Sequence, residues 1–306
     1  MSVQSPESLG QSRPSRSAGI WFGILSAATF GLIPLFSIPV LKAGMGTMDV
    51  LFYRFLIACA AMLGVLLFNR KKLSLSLREI GLMALFGLLY DGSALCLYYG
   101  YRYMSSGAAT TLIFMYPVWT AVIMAVFFRE RLRVRTILAI ALALCGVFFL
   151  SGEGGGSGGA SWGVVGVVLM SGLFYSVYMV LVERMNVRQM GSLKLTFYCL
   201  FFAGVYLTAF LMVTGQGISA VPDIPSWLNL ALLGIIPTVV SNVLLIRSIS
   251  AIGSTLAAVL GAFEPVIAVL VGVFLFGEAF TLYSATGVIL IIFSVALLVL
   301  KGRKRP

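Results

Sequence analysis

The 306-residue chain has no histidine, only ten carboxylates against 21 lysines and arginines, and charge at only 10% of its positions. Without imidazole there is no His-based acid–base chemistry, metal ligation or proton relay. The acids show no metal-ligand spacing and no P-loop occurs, so neither an enzyme, a metal nor a cofactor is indicated. The four cysteines, Cys59, Cys96, Cys145 and Cys199, sit singly in apolar runs without CxxC spacing, which argues for packing residues over a zinc site or a disulfide framework.

What the chain has instead is apolar mass: 60% of residues are hydrophobic and the mean hydropathy is +1.05. Soluble domains run at about 45–50% apolar and about 25% charged. A water-soluble globule could not hide this much apolar surface, so the sequence reads as an integral membrane protein. The net charge of +11 would suggest nucleic acid in a soluble chain. Here it reads as loop charge, because cytoplasmic loops collect Lys and Arg, and no nucleic-acid partner is expected.

Residues 1–17 are polar and read as a disordered cytoplasmic tail. The apolar run behind them is too long for a signal-peptide core. Ten segments meet the spanning length of about 20 residues, at 18–41, 47–69, 80–101, 106–128, 135–151, 162–182, 193–214, 226–247, 254–277 and 281–300. Their apolarity is continuous and does not alternate, which favours an all-α membrane protein over a barrel. With these spans, eighteen cationic residues fall on one side, Lys42 and Arg102 on the other, and Arg54 within a span. That split places both termini in the cytoplasm.

A Gly-rich linker, 152–161, divides the chain into five-helix halves, 18–151 and 162–300, with a basic tail at 301–306. Residues 106–150 align on 254–298 at an offset of 148 with ten identities in 45, pairing Pro117 with Pro265 and Glu130 with Glu278. An offset of 144 pairs Gly19 with Gly163, Phe30 with Phe174, Leu51 with Leu195 and Leu56 with Leu200. Five is odd, so the second copy must sit inverted. The basic RERLRVR loop after helix 4 and the GEAFT loop after helix 9, which has no basic residue, agree. Two inverted five-helix bundles, ten transmembrane helices in all, form a skeleton of secondary transporters whose site lies near midplane.

The sequence also resembles the drug/metabolite transporter superfamily, EamA type. The resemblance rests on Arg54-Phe55, on the Tyr99–Leu112 stretch YGYRYMSSGAATTL, on Pro117 with Glu130, and in the second copy on Ser254–Leu260, Phe263-Glu264-Pro265-Val266 and Gly277-Glu278. It covers 18–300 and implies a ten-helix fold, a cavity shared by both halves, and efflux or exchange of small metabolites such as amino acids, sugars, nucleotide derivatives or cationic drugs.

Three ionisable residues lie deep in spans, where a lone charge costs roughly 2.5–3.5 kcal/mol on insertion scales. Asp91 and Glu264 sit about ten residues from their cytoplasmic ends. They can exchange protons with a transport cycle, bind a cationic ammonium group, or serve helix packing alone. Arg54 has three readings: snorkelling outward, pairing with Asp91, or meeting a substrate carboxylate. Pro34, Pro117, Pro237 and Pro265 are hinge candidates. Phe30, Tyr90, Tyr116, Trp119, Tyr175, Tyr178, Ser241 and Asn242 are cavity-lining candidates. Glu130 and Glu278 stand at helix ends in capping or packing roles.

The reading is a secondary transporter of a bacterial inner membrane, working by alternating access. It exports or exchanges a small metabolite, an amino acid being favoured and proton coupling being a candidate. Its expected partners are a small-molecule substrate, the lipid bilayer and, as a coupling ion, protons; the oligomeric state is left open. The rivals are an exporter of cationic drugs or quaternary ammonium compounds and a non-transporting membrane scaffold.

Overall fold

The computed structural model describes residues 15–70, 73–103, 109, 112–151, 161–185, 190–277 and 280–299. The expected linker apart from Ser161, the basic C-terminal tail and Glu278 lie outside the described residues, as does the N-terminal tail as far as residue 14. Within the stretch expected as tail, residues 15–17 are described and Arg16 and Ser17 are helical. Ser15 already caps the first helix, its hydroxyl accepting from the Ala18 amide at 3.2 Å.

The helices are α1 (Arg16–Lys42), α2 (Thr47–Phe68), α3 (Leu77–Tyr103), α4 (Tyr116–Phe128), α5 (Val134–Ser151), α6 (Trp162–Arg184), α7 (Ser192–Thr214), α8 (Ile224–Ile252), α9 (Ser254–Phe276) and α10 (Leu282–Val299). Seven candidate membrane spans lie in α1, α2, α3, α6, α7, α8 and α9; α4, α5 and α10 contain shorter apolar helices. The described residues contain no strand.

Large apolar side chains face outward along these rods, among them Trp21, Leu56, Phe127, Phe148, Phe274 and Phe293. Hydroxyls face inward: Ser26, Ser93, Ser171, Thr238 and Ser241 are buried. Lipid offers helices no hydrophobic reason to associate, so small residues and interhelical hydrogen bonds must supply it.

The contacts come in matching sets. Helix α1 packs on α8 and α3 packs on α6; α2 and α3 both meet α7; α4 meets α6 and α9; α5 lies along α10. Between α1 and α8 the Ser26 hydroxyl donates to the Ser241 carbonyl at 2.9 Å and the Ser241 hydroxyl donates to the Ser26 carbonyl at 2.8 Å. Between α3 and α6 the hydroxyls of Ser93 and Ser171 lie 3.2 Å apart, and Ser171 donates to the Ser93 carbonyl at 2.7 Å. Glycines bring backbones together at two further contacts. A Cβ on Gly87 in α3 would lie 2.4 Å from the Phe202 Cβ of α7, and one on Gly234 in α8 would lie 2.8 Å from Ile57 of α2.

The starts of α2 and α7 are tied down alike. Tyr53 donates to the Ser219 carbonyl at 3.1 Å, and the Asp49 carboxylate accepts from the Ser219 amide at 3.1 Å. Tyr198 donates to the Leu73 carbonyl, and Lys194 donates to the Ser74 carbonyl at 2.6 Å.

Candidate functional site

Each of the four singled-out prolines sits at an irregularity of its helix, three of them just after a break. Helix α1 turns at Gly31–Leu32 just before Pro34, and α9 turns at Ala262–Phe263 just before Pro265. The turn at Phe114–Met115 precedes α4, with Pro117 in its first turn. These three prolines begin helical segments instead of interrupting them, and there the missing N–H has no intrahelical partner to lose.

Pro237 differs, because it lies within α8, where Gly234–Val240 widens into a π-helical segment. A mid-helix proline strips a donor from the carbonyl four residues back, here Leu233. The Thr238 hydroxyl donates to that carbonyl at 2.8 Å. The same hydroxyl accepts from the Arg54 Nε at 2.6 Å. Arg54 is thus bound inward to the π segment of α8, not snorkelled outward, and it is buried.

Between these helices lies a narrow cavity of about 10 Å³, room for roughly one water. Ser26 and Phe30 of α1, Tyr116 of α4, Tyr175 of α6, and Gly261 and Glu264 of α9 line it. Glu264 opens the second segment of α9, where the positive end of the helix dipole favours a carboxylate. The Arg54 guanidinium stands 6.0 Å from the Phe30 ring centre, and Phe30 and Glu264 line the same cavity. Arg54 and Glu264 do not pair: the ion pair among the described residues is Arg184–Glu130, at 3.2 Å.

Four of the six aromatic candidates form one connected series. Tyr116 meets Tyr175 edge-on at 5.1 Å between ring centres, Tyr175 stacks on Tyr178 at 6.0 Å, and Tyr178 meets Tyr90 at 5.8 Å. Such ring pairs hold their neighbours in fixed orientations. At the far end the Asn242 amide donates to the Tyr90 hydroxyl at 3.1 Å and to the Thr238 carbonyl at 2.7 Å. The rings and the Arg54–Thr238 bond are therefore linked.

The family model described as the EamA-like transporter family matches this chain twice, over residues 17–152 and 161–300. The chain belongs to the EamA-like transporter family. An Archaeoglobus fulgidus protein named an uncharacterized transporter is 28% identical over 265 residues, covering 86% of this chain and 90% of the relative. The uncharacterized inner membrane transporter YedA of Escherichia coli K12 is 28% identical over 269 residues, covering 86% and 82%. A protein crystal structure at 19% identity superposes with a TM-score of 0.80 over 94% of this chain and 98% of its own, and shares the fold. This EamA-like protein is therefore a multi-pass membrane transporter, which binds small-molecule substrates and sits in a lipid bilayer. The family and the relatives' names point away from an enzyme.

Not every candidate residue of this EamA-like transporter meets the cavity. Phe30, Tyr116, Tyr175 and Glu264 line it; Tyr90, Tyr178 and Asn242 stand behind it; Ser241 is engaged by Ser26. Asp91 is buried at 2% exposure, its Oδ1 has no hydrogen-bond partner, and it is not among the cavity-lining residues. It lies one turn beyond Gly87, on the side of α3 that meets α7. The Trp119 Nε1 is likewise buried without a partner. Thr238, Ser26 and Gly261 were missed by sequence reasoning. For Thr238 a signal was present: a hydroxyl directly after a mid-helix proline can reach the carbonyl the proline frees.

Proposed function

We propose that this transporter is an inverted repeat of two five-helix bundles with a ten-helix topology. In this reading 18–151 and 162–300 are the repeats and both termini lie in the cytoplasm of a bacterial inner membrane. The paired contacts support it. A step of 145 residues carries Ser26 to Ser171, Phe30 to Tyr175 and Tyr53 to Tyr198, and a step of 148 carries Ser93 to Ser241. Each serine thus meets the repeat counterpart of the other pair's partner. The tyrosine anchors carry Asp49 in one copy and Lys194 in the other, as expected if the first loop faces outside and the second the cytoplasm.

The cargo we propose is a small zwitterion, an amino acid being favoured, moved by alternating access. The observation that carries this is Arg54 and Glu264 around one cavity: a buried cation 6.0 Å from the Phe30 ring, and a half-buried carboxylate lining the same cavity as Phe30, with no ion pair between them. A substrate carboxylate would satisfy the free edge of the Arg54 guanidinium. A substrate ammonium, or a coupling proton, would meet Glu264. The small cavity belongs to a closed state, and the irregularities at Pro34, Pro117, Pro237 and Pro265 supply the places to open it. The wall of Phe30, Tyr116 and Tyr175 around an acid favours a second reading, an exporter of cationic drugs or quaternary ammonium compounds.

Counterflow in liposomes containing the purified protein tests both. Labelled amino acid is expected to exchange, with Glu264→Gln and Arg54→Gln each lowering exchange at least tenfold. Transport of tetraphenylphosphonium with no amino-acid exchange would overturn the zwitterion reading. No movement of either would favour the scaffold.

A further inference from the structure

A second concavity lies away from the central cavity, and its chemistry is different. It measures about 410 Å³ and is bounded by the start of α1, the 129–133 connection, the beginning of α5, the α8–α9 junction and the end of α10. Arg16, Arg131, Arg133 and Arg135 line it, with Glu130. Glu130 is already engaged by Arg184 at 3.2 Å, and none of the four lining arginines has a carboxylate within 4 Å among the described residues. Four arginines line one cleft, and its one lining carboxylate, Glu130, is paired with Arg184 and not with any of them. Lone surface arginines are ordinary in a basic loop, but four lining one concave cleft are not.

The opposite wall is Gly253, Ser254, Thr255 and Leu256. The Ser254 amide and hydroxyl are both taken by Glu183, each at 2.6 Å, so this helix start is not a vacant anion site in its own right. Thr255 is different: it is 5% exposed and its hydroxyl has no partner. Leu132, Leu256 and Leu297 make the rest of the lining apolar. Past the cleft, α5 presents Val134, Ile137 and Leu138 outward, an apolar path beside the cationic rim.

We propose that this cleft binds a phosphate ester, the headgroup of an acidic phospholipid, with the arginines on the phosphate oxygens and the acyl chain along α5. Guanidinium groups suit phosphate because their planar donors match its oxygens. A basic pocket between helices at the membrane surface is where an anionic headgroup lies. The proposal is independent of the cargo reading, since it touches neither Arg54 nor Glu264.

The test uses the full chain in phosphatidylcholine nanodiscs, with phosphatidylglycerol as the probe and bound lipid counted by native mass spectrometry. Wild type is expected to retain phosphatidylglycerol saturably. Arg133→Ala/Arg135→Ala is expected to weaken retention at least tenfold. Thr255→Val, which leaves the charge untouched, is expected to weaken it several-fold. Arg78→Ala, in another basic stretch, is expected to leave it unchanged. Equal losses in Arg78→Ala and the double variant would mean diffuse attraction and overturn the site. Displacement by glycerol 3-phosphate at the same concentration as the lipid would assign the cleft to a soluble phosphate ester and overturn the lipid. Unchanged retention in both cleft variants would also overturn the proposal. Thermal unfolding without added phosphatidylglycerol shows whether each variant is folded.

Discussion

The Nε of Arg54 donates to the hydroxyl of Thr238 at 2.6 Å, and that hydroxyl in turn donates to the Leu233 carbonyl, whose donor four residues on is replaced by Pro237. One side chain therefore bonds back across the π segment at Pro237 and holds a buried cation. Neither role is separable from the other, because both use the same oxygen.

Thr238→Val keeps shape and loses that oxygen. It is expected to destabilise the purified protein by about 1–3 kcal/mol, the range for leaving a buried polar group unsatisfied. Thr238→Ser should recover most of the loss. Thermal unfolding in detergent measures both. Equal stability of the valine and serine variants would count against the hydroxyl's bridging role.

Gly261 packs under the Tyr116 hydroxyl so closely that a Cβ there would overlap it. Gly261→Ala must push the ring aside, at about 1–3 kcal/mol for overpacking. Tyr116→Phe removes the overlapping atom, so the double variant is expected to be more stable than Gly261→Ala alone. Additive losses in a double-mutant cycle would refute the contact.

The serine pairs predict a modest coupling. Interhelical hydrogen bonds in a membrane bundle average about 0.6 kcal/mol and reach about 1.7. Ser26→Ala and Ser241→Ala should each cost about that much, and together less than their sum. Ser26→Ala combined with Ser171→Ala should be additive, since those serines belong to different pairs.

Topology is testable without transport. Single cysteines replacing Ser76 and Arg133 should react with an impermeant maleimide only after the membrane is opened, and one replacing Ser219 should react in intact cells. Labelling of positions 76 and 133 from opposite sides would remove the proposed orientation.

The helices were legible because continuous apolar runs leave little choice of structure in lipid. The expected span 106–128 is described at 109 and over 112–128, with Tyr116–Phe128 as α4. Direction was harder to read than depth. Asp91 and Glu264 look equivalent when residues are counted from helix ends, yet Glu264 lines the cavity and Asp91 lies on the side of α3 toward α7. Sequence gives height along a helix; which way a side chain points depends on its neighbours. The repeat shows the same limit. Identities in the first two helices align at a step of 144, whereas paired contacts run at 145, through Ser26 and Ser171. Identities between apolar residues carry little weight beside hydroxyls that must find partners in lipid.

The seven-residue π segment at Gly234–Val240 stores slack that an α-helix lacks. Each residue of an α-helix advances the chain by about 100° around its axis. Absorbing one residue of that slack would swing Ser241–Ile252 by about that angle, carrying Ser241 off Ser26 and Asn242 off Tyr90. Both contacts sit on the one stretch that follows the π segment, so a change of winding there would act on α1 and on the ring series at once.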